Sequence, residues 1–266
     1  MSVAAGLAGH RRGSLRMVGR QVYYEQLGFW LNPIGAVFTV GFSVVFLALM
    51  GAAAGDARVP FLPGIREIQY YTAGFLAYGV MSACFNNLAI SLVVRRETGL
   101  LKRLRLSPLP AWAALAAVVV NALVVSAVQI LLLLVIARVG YHVAFPRQVA
   151  PLVVTLLVGG VCFSALGIAV STLVPNQEAA GPVVSIGFFA LLFLAGLWYP
   201  LRRGSAMARF SAYLPVRPMI TAVFRPFDLG TGGSGWAWHD IGVMAAWGAA
   251  ATVVAVRRWR WAPRRG

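Results

Sequence analysis

Apolar runs of about 20 residues or more alternate along the chain with short breaks rich in arginine. A hydrocarbon layer about 30 Å thick is crossed by about 20 helical residues. The pattern therefore predicts six membrane spans, at residues 32–54, 70–94, 111–137, 149–174, 179–198 and 236–256. Ahead of them, Leu15, Val18, Val22 and Phe29 fall on one helical face, with Arg16 and Arg20 turned away from it. That arrangement predicts a helix lying in the headgroup region. Residues 1–31 thus form a basic interfacial segment, 32–256 the six spans and 257–266 a basic, aromatic tail. The expected fold is an all-α integral membrane protein with a single transmembrane domain over 1–266.

Three breaks have distinct character. Residues 95–110 form a compact, strongly basic connection between two uncharged apolar segments. Residues 175–178 make a tight turn. Residues 199–235 carry Pro200, Pro215, Pro218 and Pro226 among Met207, Phe210, Leu214, Met219, Ile220, Val223 and Phe224. This mixture predicts short helices, broken by proline, that dip partway into the outer leaflet. Irregular backbone at that depth is tolerated only against protein.

Composition agrees with a membrane protein: 60% of residues are hydrophobic and only 11% charged, and the mean hydropathy is +0.78. The net charge of +16 is almost all arginine, since Lys102 is the only lysine. Such charge can signal nucleic acid, but arginines flanking apolar spans meet anionic headgroups, so the partner read from it is the lipid bilayer. Six spans place both termini on one side. That side, with the 95–110 loop, holds 14 lysines and arginines against 9 on the other. The excess puts both termini and the basic loop in the cytoplasm. Arginine in place of lysine, with many alanines, suggests a GC-rich bacterial genome and hence a bacterial plasma membrane.

Catalytic chemistry is not visible in the chain. Cys84 and Cys162 fall inside spans, and His10, His142 and His239 are scattered, so no metal site is expected. The seven acids, Glu25, Asp56, Glu67, Glu97, Glu178, Asp228 and Asp240, all lie at or beyond span ends, which counts against an ion-coupled carrier. A phosphate-binding loop needs a lysine after glycine, and Lys102 follows Leu101. If ATP drives this protein, another polypeptide hydrolyses it. Polar groups inside the spans include Asn86, Asn87, Asn121, Ser126, Gln129, Thr155, Ser164 and Ser185. Asn86, Asn87, Asn121 and Gln129 are the candidates for a substrate path. Interhelical hydrogen bonding is the alternative for each.

Two stretches carry a resemblance. Arg96-Glu97-x-Gly99-x-x-Lys102-Arg103-Leu104-x-x-x-Pro108-Leu109 resembles the cytoplasmic loop of the ABC type-2 exporter permeases. Leu194-Ala195-Gly196-Leu197-Trp198-Tyr199-Pro200, followed by Leu214-Pro215 and Pro218, looks like that family's signature at the end of the fifth span. The resemblance implies a drug-exporter-like permease subunit that is not itself an enzyme and has no cofactor of its own. ATP and Mg would sit on a separate ABC ATPase, and a second permease copy, identical or paralogous, would complete the pair. The basic loop would then be the coupling helix, with Arg96, Glu97, Gly99, Lys102, Arg103 and Arg105 toward the ATPase. Gly196, Pro200, Pro215 and Pro218 would shape the re-entrant outer segment. A hydrophobic or amphipathic cargo is expected; polysaccharide or lipid export, or a non-transporting scaffold, are the alternatives.

Overall fold

The computed structural model describes residues 17–55, 57–59, 65–101, 111–198, 204–227 and 234–259. The chain forms α1 (residues 17–30), α2 (Pro33–Ala54), α3 (Glu67–Glu97), α4 (Ala111–Tyr141) and α5 (Val149–Ser171). After these come α6 (Gln177–Ala195), α7 (Ala206–Ser211), α8 (Val216–Phe224) and α9 (Trp238–Arg258). Among the described residues there is no strand, only one isolated bridge between Arg58 and Arg66. Six helices, α2 to α6 and α9, are long and apolar enough to cross a membrane.

Local chemistry sets the ends. Asn32 accepts the Gly35 N–H and Pro33 occupies the first turn of α2, where its missing N–H costs nothing. Asn176 accepts the Ala179 N–H and Glu178 lies in the first turn of α6, complementing the positive helix end. Most ends lie two to four residues from the sequence expectation, α4 for example running on to Tyr141 rather than 137, and two of them have a local cause. α3 runs on through Arg95, Arg96 and Glu97, three residues beyond the expected 94, because these charged side chains find partners in the fold. α6 stops at Ala195, short of 198, because Gly196 takes φ 76° and closes the helix. Leu197 N–H returns to Leu192 and Gly196 N–H to Phe193, the paired bonds of a glycine C-cap.

Both α2 and α3 contain a π-turn, at Val37–Gly41 and Ser82–Asn87, and the two turns touch. α3 is the axis of the bundle. Of its most apolar stretch, 72% is buried, against 22% for α2, 28% for α6 and 22% for α9. It packs on α2, α4, α5, α6 and α8. Helix backbones come close at Gly167 of α5, where a Cβ would lie 3.0 Å from the Phe85 carbonyl and 3.1 Å from that of Cys84. The π-turn of α3 therefore sits directly against α5.

The described part of the 199–235 connection, residues 204–227, forms short helices with prolines at their ends and within α8, as the sequence predicts. Pro215 precedes α8 and its carbonyl takes the Met219 N–H. Val216, Met219, Ile220 and Val223 are buried. Met219 reaches Gly159, ten residues into α5, so α8 penetrates the bundle rather than lying on its rim. Pro200 lies outside the described residues.

Candidate functional site

One end of the bundle carries a charged joint at the close of α3. Neighbours on a helix point about 100° apart, and Arg95 and Arg96 use that divergence. Arg95 turns toward α1. Its guanidinium donates to both oxygens of Glu25, at 2.6 and 2.5 Å, and its Nε donates to Ser91 Oγ at 3.0 Å. Glu25 is 8% exposed and also accepts from Gln21 at 3.0 Å. Gln26 donates to the Asn121 carbonyl at 3.2 Å, so α1 is fastened to both α3 and α4. Val18, Val22 and Phe29 lie half-buried on the same side, and Arg20 is exposed, as the helical face predicts.

Arg96 turns the other way and is 4% exposed. It donates to Glu97 Oε1 at 2.7 Å, the Ser171 carbonyl at 3.0 Å, the Val174 carbonyl at 2.7 Å and the Pro175 carbonyl at 3.3 Å. These carbonyls are at and just past the C-terminus of α5, where backbone acceptors lack helical partners and carry partial negative charge. A planar guanidinium can serve several acceptors at once. Arg96 thereby ties α3 to the α5–α6 turn. Glu97 pairs with it locally.

Gly99 then redirects the chain. It has φ 72°, and a Cβ there would meet nothing within 4 Å. The glycine answers a left-handed backbone conformation that residues with a Cβ rarely adopt. Leu101 is buried, fixing the root of the basic segment. Lys102, Arg103, Arg105 and Pro108 lie outside the described residues.

The four intramembrane amides separate into two groups. Gln129 is fully buried, and its amide donates to the Thr39 carbonyl at 3.0 Å and to Ser43 Oγ at 2.7 Å. Thr39 lies in the π-turn of α2, so Gln129 binds backbone that the turn exposes. Asn121 is 8% exposed and held at its carbonyl by Gln26. Asn86 and Asn87 are half-buried, end the π-turn of α3, and face a different environment. Ser185 of α6 donates to Asn86 Oδ1 at 3.4 Å. Beside them, rings from α2, α3 and α6 meet. Phe42 stacks on Phe46 at 4.2 Å between centroids and on Tyr78 at 5.4 Å, and Phe85 stacks on Phe188 at 6.1 Å.

The fifth-span signature has a packing role. Tyr70 Oη donates to the Gly196 carbonyl at 2.7 Å, and Arg217 to the Ala195 carbonyl at 3.4 Å. Leu197 is buried against Gly74. Trp198 meets Phe46 at 5.2 Å and Phe75 at 5.9 Å. Pro218 is buried within α8. Among the described residues, no group of His, Cys, Asp or Glu could hold a metal ion.

The Glu25–Arg95 pair escapes the sequence reading, although a signal for it exists. Glu25 lies seven residues after Val18 and four before Phe29, on the packed face of α1. An acid there needs a buried partner.

A family model described as "ABC-2 family transporter protein" matches residues 63–257. A search of the curated proteins finds no match.

Proposed function

The chain belongs to the ABC-2 family of membrane transporter proteins, and from that premise we propose that it is the permease subunit of an ATP-driven exporter. A separate ABC ATPase would bind ATP and Mg and grip the basic segment that follows α3. Both termini and that segment would be cytoplasmic, in a bacterial plasma membrane. Hydrolysis on a separate chain can move the spans only through a mechanical contact.

The observation that carries the reading is the divergence of Arg95 and Arg96. Displacement of the segment after Gly99 would pull on α1 through Glu25 and on the α5–α6 turn through the backbone carbonyls. Glu97, Gly99, Lys102, Arg103 and Arg105 would then form and orient the surface met by the ATPase. Arg96 would act behind that surface, as an anchor. The push would thus be divided between the interfacial helix and two spans.

A hydrophobic or amphipathic cargo fits the middle of the bundle. The half-buried amides of Asn86 and Asn87 stand beside an aromatic wall from α2, α3 and α6. Such a surface offers stacking and a few polar contacts but no fixed charge. Asn121 and Gln129, enclosed by packing, would stay structural. The outward faces of α2 and α6, with Phe38, Leu49, Ile186 and Phe193 exposed, would meet a second permease copy.

The test is co-expression with candidate ABC ATPases of the same genome, followed by co-purification and efflux of fluorescent amphipathic cargo. Efflux should need both chains and an intact ATPase. Efflux by the permease alone would contradict the reading, and so would a chain that co-purifies with no ATPase and moves no cargo.

A further inference from the structure

On the flank of the bundle, α4 parts from α5 and α9 at the end that carries Arg95 and Arg96. The gap is a groove of about 410 Å³, within the roughly 300–1,000 Å³ of ligand sites. Its walls are Leu115 and Val119 of α4, Val161 and Ile168 of α5, and Val256 of α9, with buried Ser164 at the floor. The groove follows from the packing. α5 and α9 close on one another through Ala165, Ala169, Ala251 and Ala255, and these short side chains leave the space toward α4 unfilled.

Length and charge say what fills it. From Val161 to the end of α5 at Ser171 the helix rises about 15 Å, half of a roughly 30 Å hydrocarbon layer. The groove therefore occupies one leaflet. At its end lies Trp259. Beyond it is a small cleft lined by Arg96, Ser171, Thr172 and Arg258. Arg257 and Arg258 are exposed in the last turn of α9. Among the described residues, no acidic side chain lines the groove or the cleft.

We propose that this groove holds an acyl chain of an anionic phospholipid, whose phosphate is bound by Arg257 and Arg258. Arginines at a span end reach the headgroup level, and tryptophan favours the boundary below it. The bound lipid fills the gap between α4 and the α5–α9 pair, next to the carbonyls that hold Arg96. This site is separate from the amides on α3 and does not rest on the transport reading.

The test uses the purified full chain in detergent, titrated with phosphatidylglycerol or phosphatidylcholine and read by native mass spectrometry. The wild type should retain phosphatidylglycerol over phosphatidylcholine. Arg257→Gln with Arg258→Gln should weaken phosphatidylglycerol retention about 30-fold, about 2 kcal/mol for two arginines near an anionic surface, with unchanged thermal unfolding. Val161→Trp with Val256→Trp changes exposed wall residues and should abolish retention of both lipids. Equal retention of the two lipids by the wild type would overturn the headgroup assignment. Undiminished phosphatidylglycerol on the glutamine pair would do the same, and undiminished lipid on the tryptophan pair would place the site elsewhere.

Discussion

At Arg96 a buried cation is paired with one carboxylate and otherwise solvated by backbone. Three carbonyls and one carboxylate receive its protons, so geometry matters as much as charge. Lysine keeps the charge but lacks the planar fork. Arg96→Lys should lower stability by about 2 kcal/mol, the scale of a lost hydrogen bond to a charged group, and Arg96→Ala by more, read by thermal unfolding in detergent; equal stability of Arg96→Lys and wild type would remove the anchor. The Glu25–Arg95 pair is different in kind. Removing one partner strands a charge, at about 3–5 kcal/mol for an enclosed pair. Arg95 keeps 22% of its side chain exposed, so Glu25→Ala is expected to cost roughly 2–3 kcal/mol. Glu25→Arg combined with Arg95→Glu should recover most of that loss. Little of this is legible in sequence alone. The charges are visible there, but the partners lie 70 to 79 residues away, and nothing local says which arginine turns inward.

Among the elements, the spans follow from apolar length, while their ends and irregularities do not. Hydropathy registers solvent preference per residue. It cannot register that α3 continues through three charged residues because α1 and α5 supply their partners. It is equally blind to the π-turns. Gln129 and its contacts with Thr39 and Ser43 are part of that hidden layer: sequence shows a polar residue in a span, and only packing separates a liner from a brace. The glycine signals were more legible. Gly196 lies at the end of an apolar run and takes a left-handed conformation, which costs other residues about 1–2 kcal/mol. Gly196→Ala should destabilise the protein by that amount and loosen the Tyr70 bond; an unchanged melting temperature would count against the cap. Gly167→Val should cost more, because the added atoms press on helix backbone rather than on a flexible side chain. Impaired folding read by size-exclusion profile is the expected outcome.

For the whole molecule, the count of six spans and the order of elements were present in the alternation of apolar and basic segments, and the structure bears out the all-α membrane fold. The sequence predicts that the 199–235 helices dip inward, but not how deeply α8 goes, since nothing local shows that Met219 packs on the bare backbone of Gly159. Orientation is expected from charge asymmetry. Both native cysteines are buried, so labelling of introduced cysteines has low background. Ser205→Cys should label from outside and Thr98→Cys only from the cytoplasm; the reverse would invert the orientation.

In the proposed function the end of α3 divides the push of an ABC ATPase between α1 and the α5–α6 turn. Cargo moved per ATP hydrolysed, measured in proteoliposomes holding the permease and its ATPase, tests it most directly. Compared with wild type, Glu25→Gln and Arg95→Gln should keep hydrolysis within about twofold while transport falls at least about tenfold, the change that about 1.4 kcal/mol of lost coupling produces. The charge-swapped pair should restore the ratio. Single variants that assemble, hydrolyse and transport at the wild-type ratio would contradict the account.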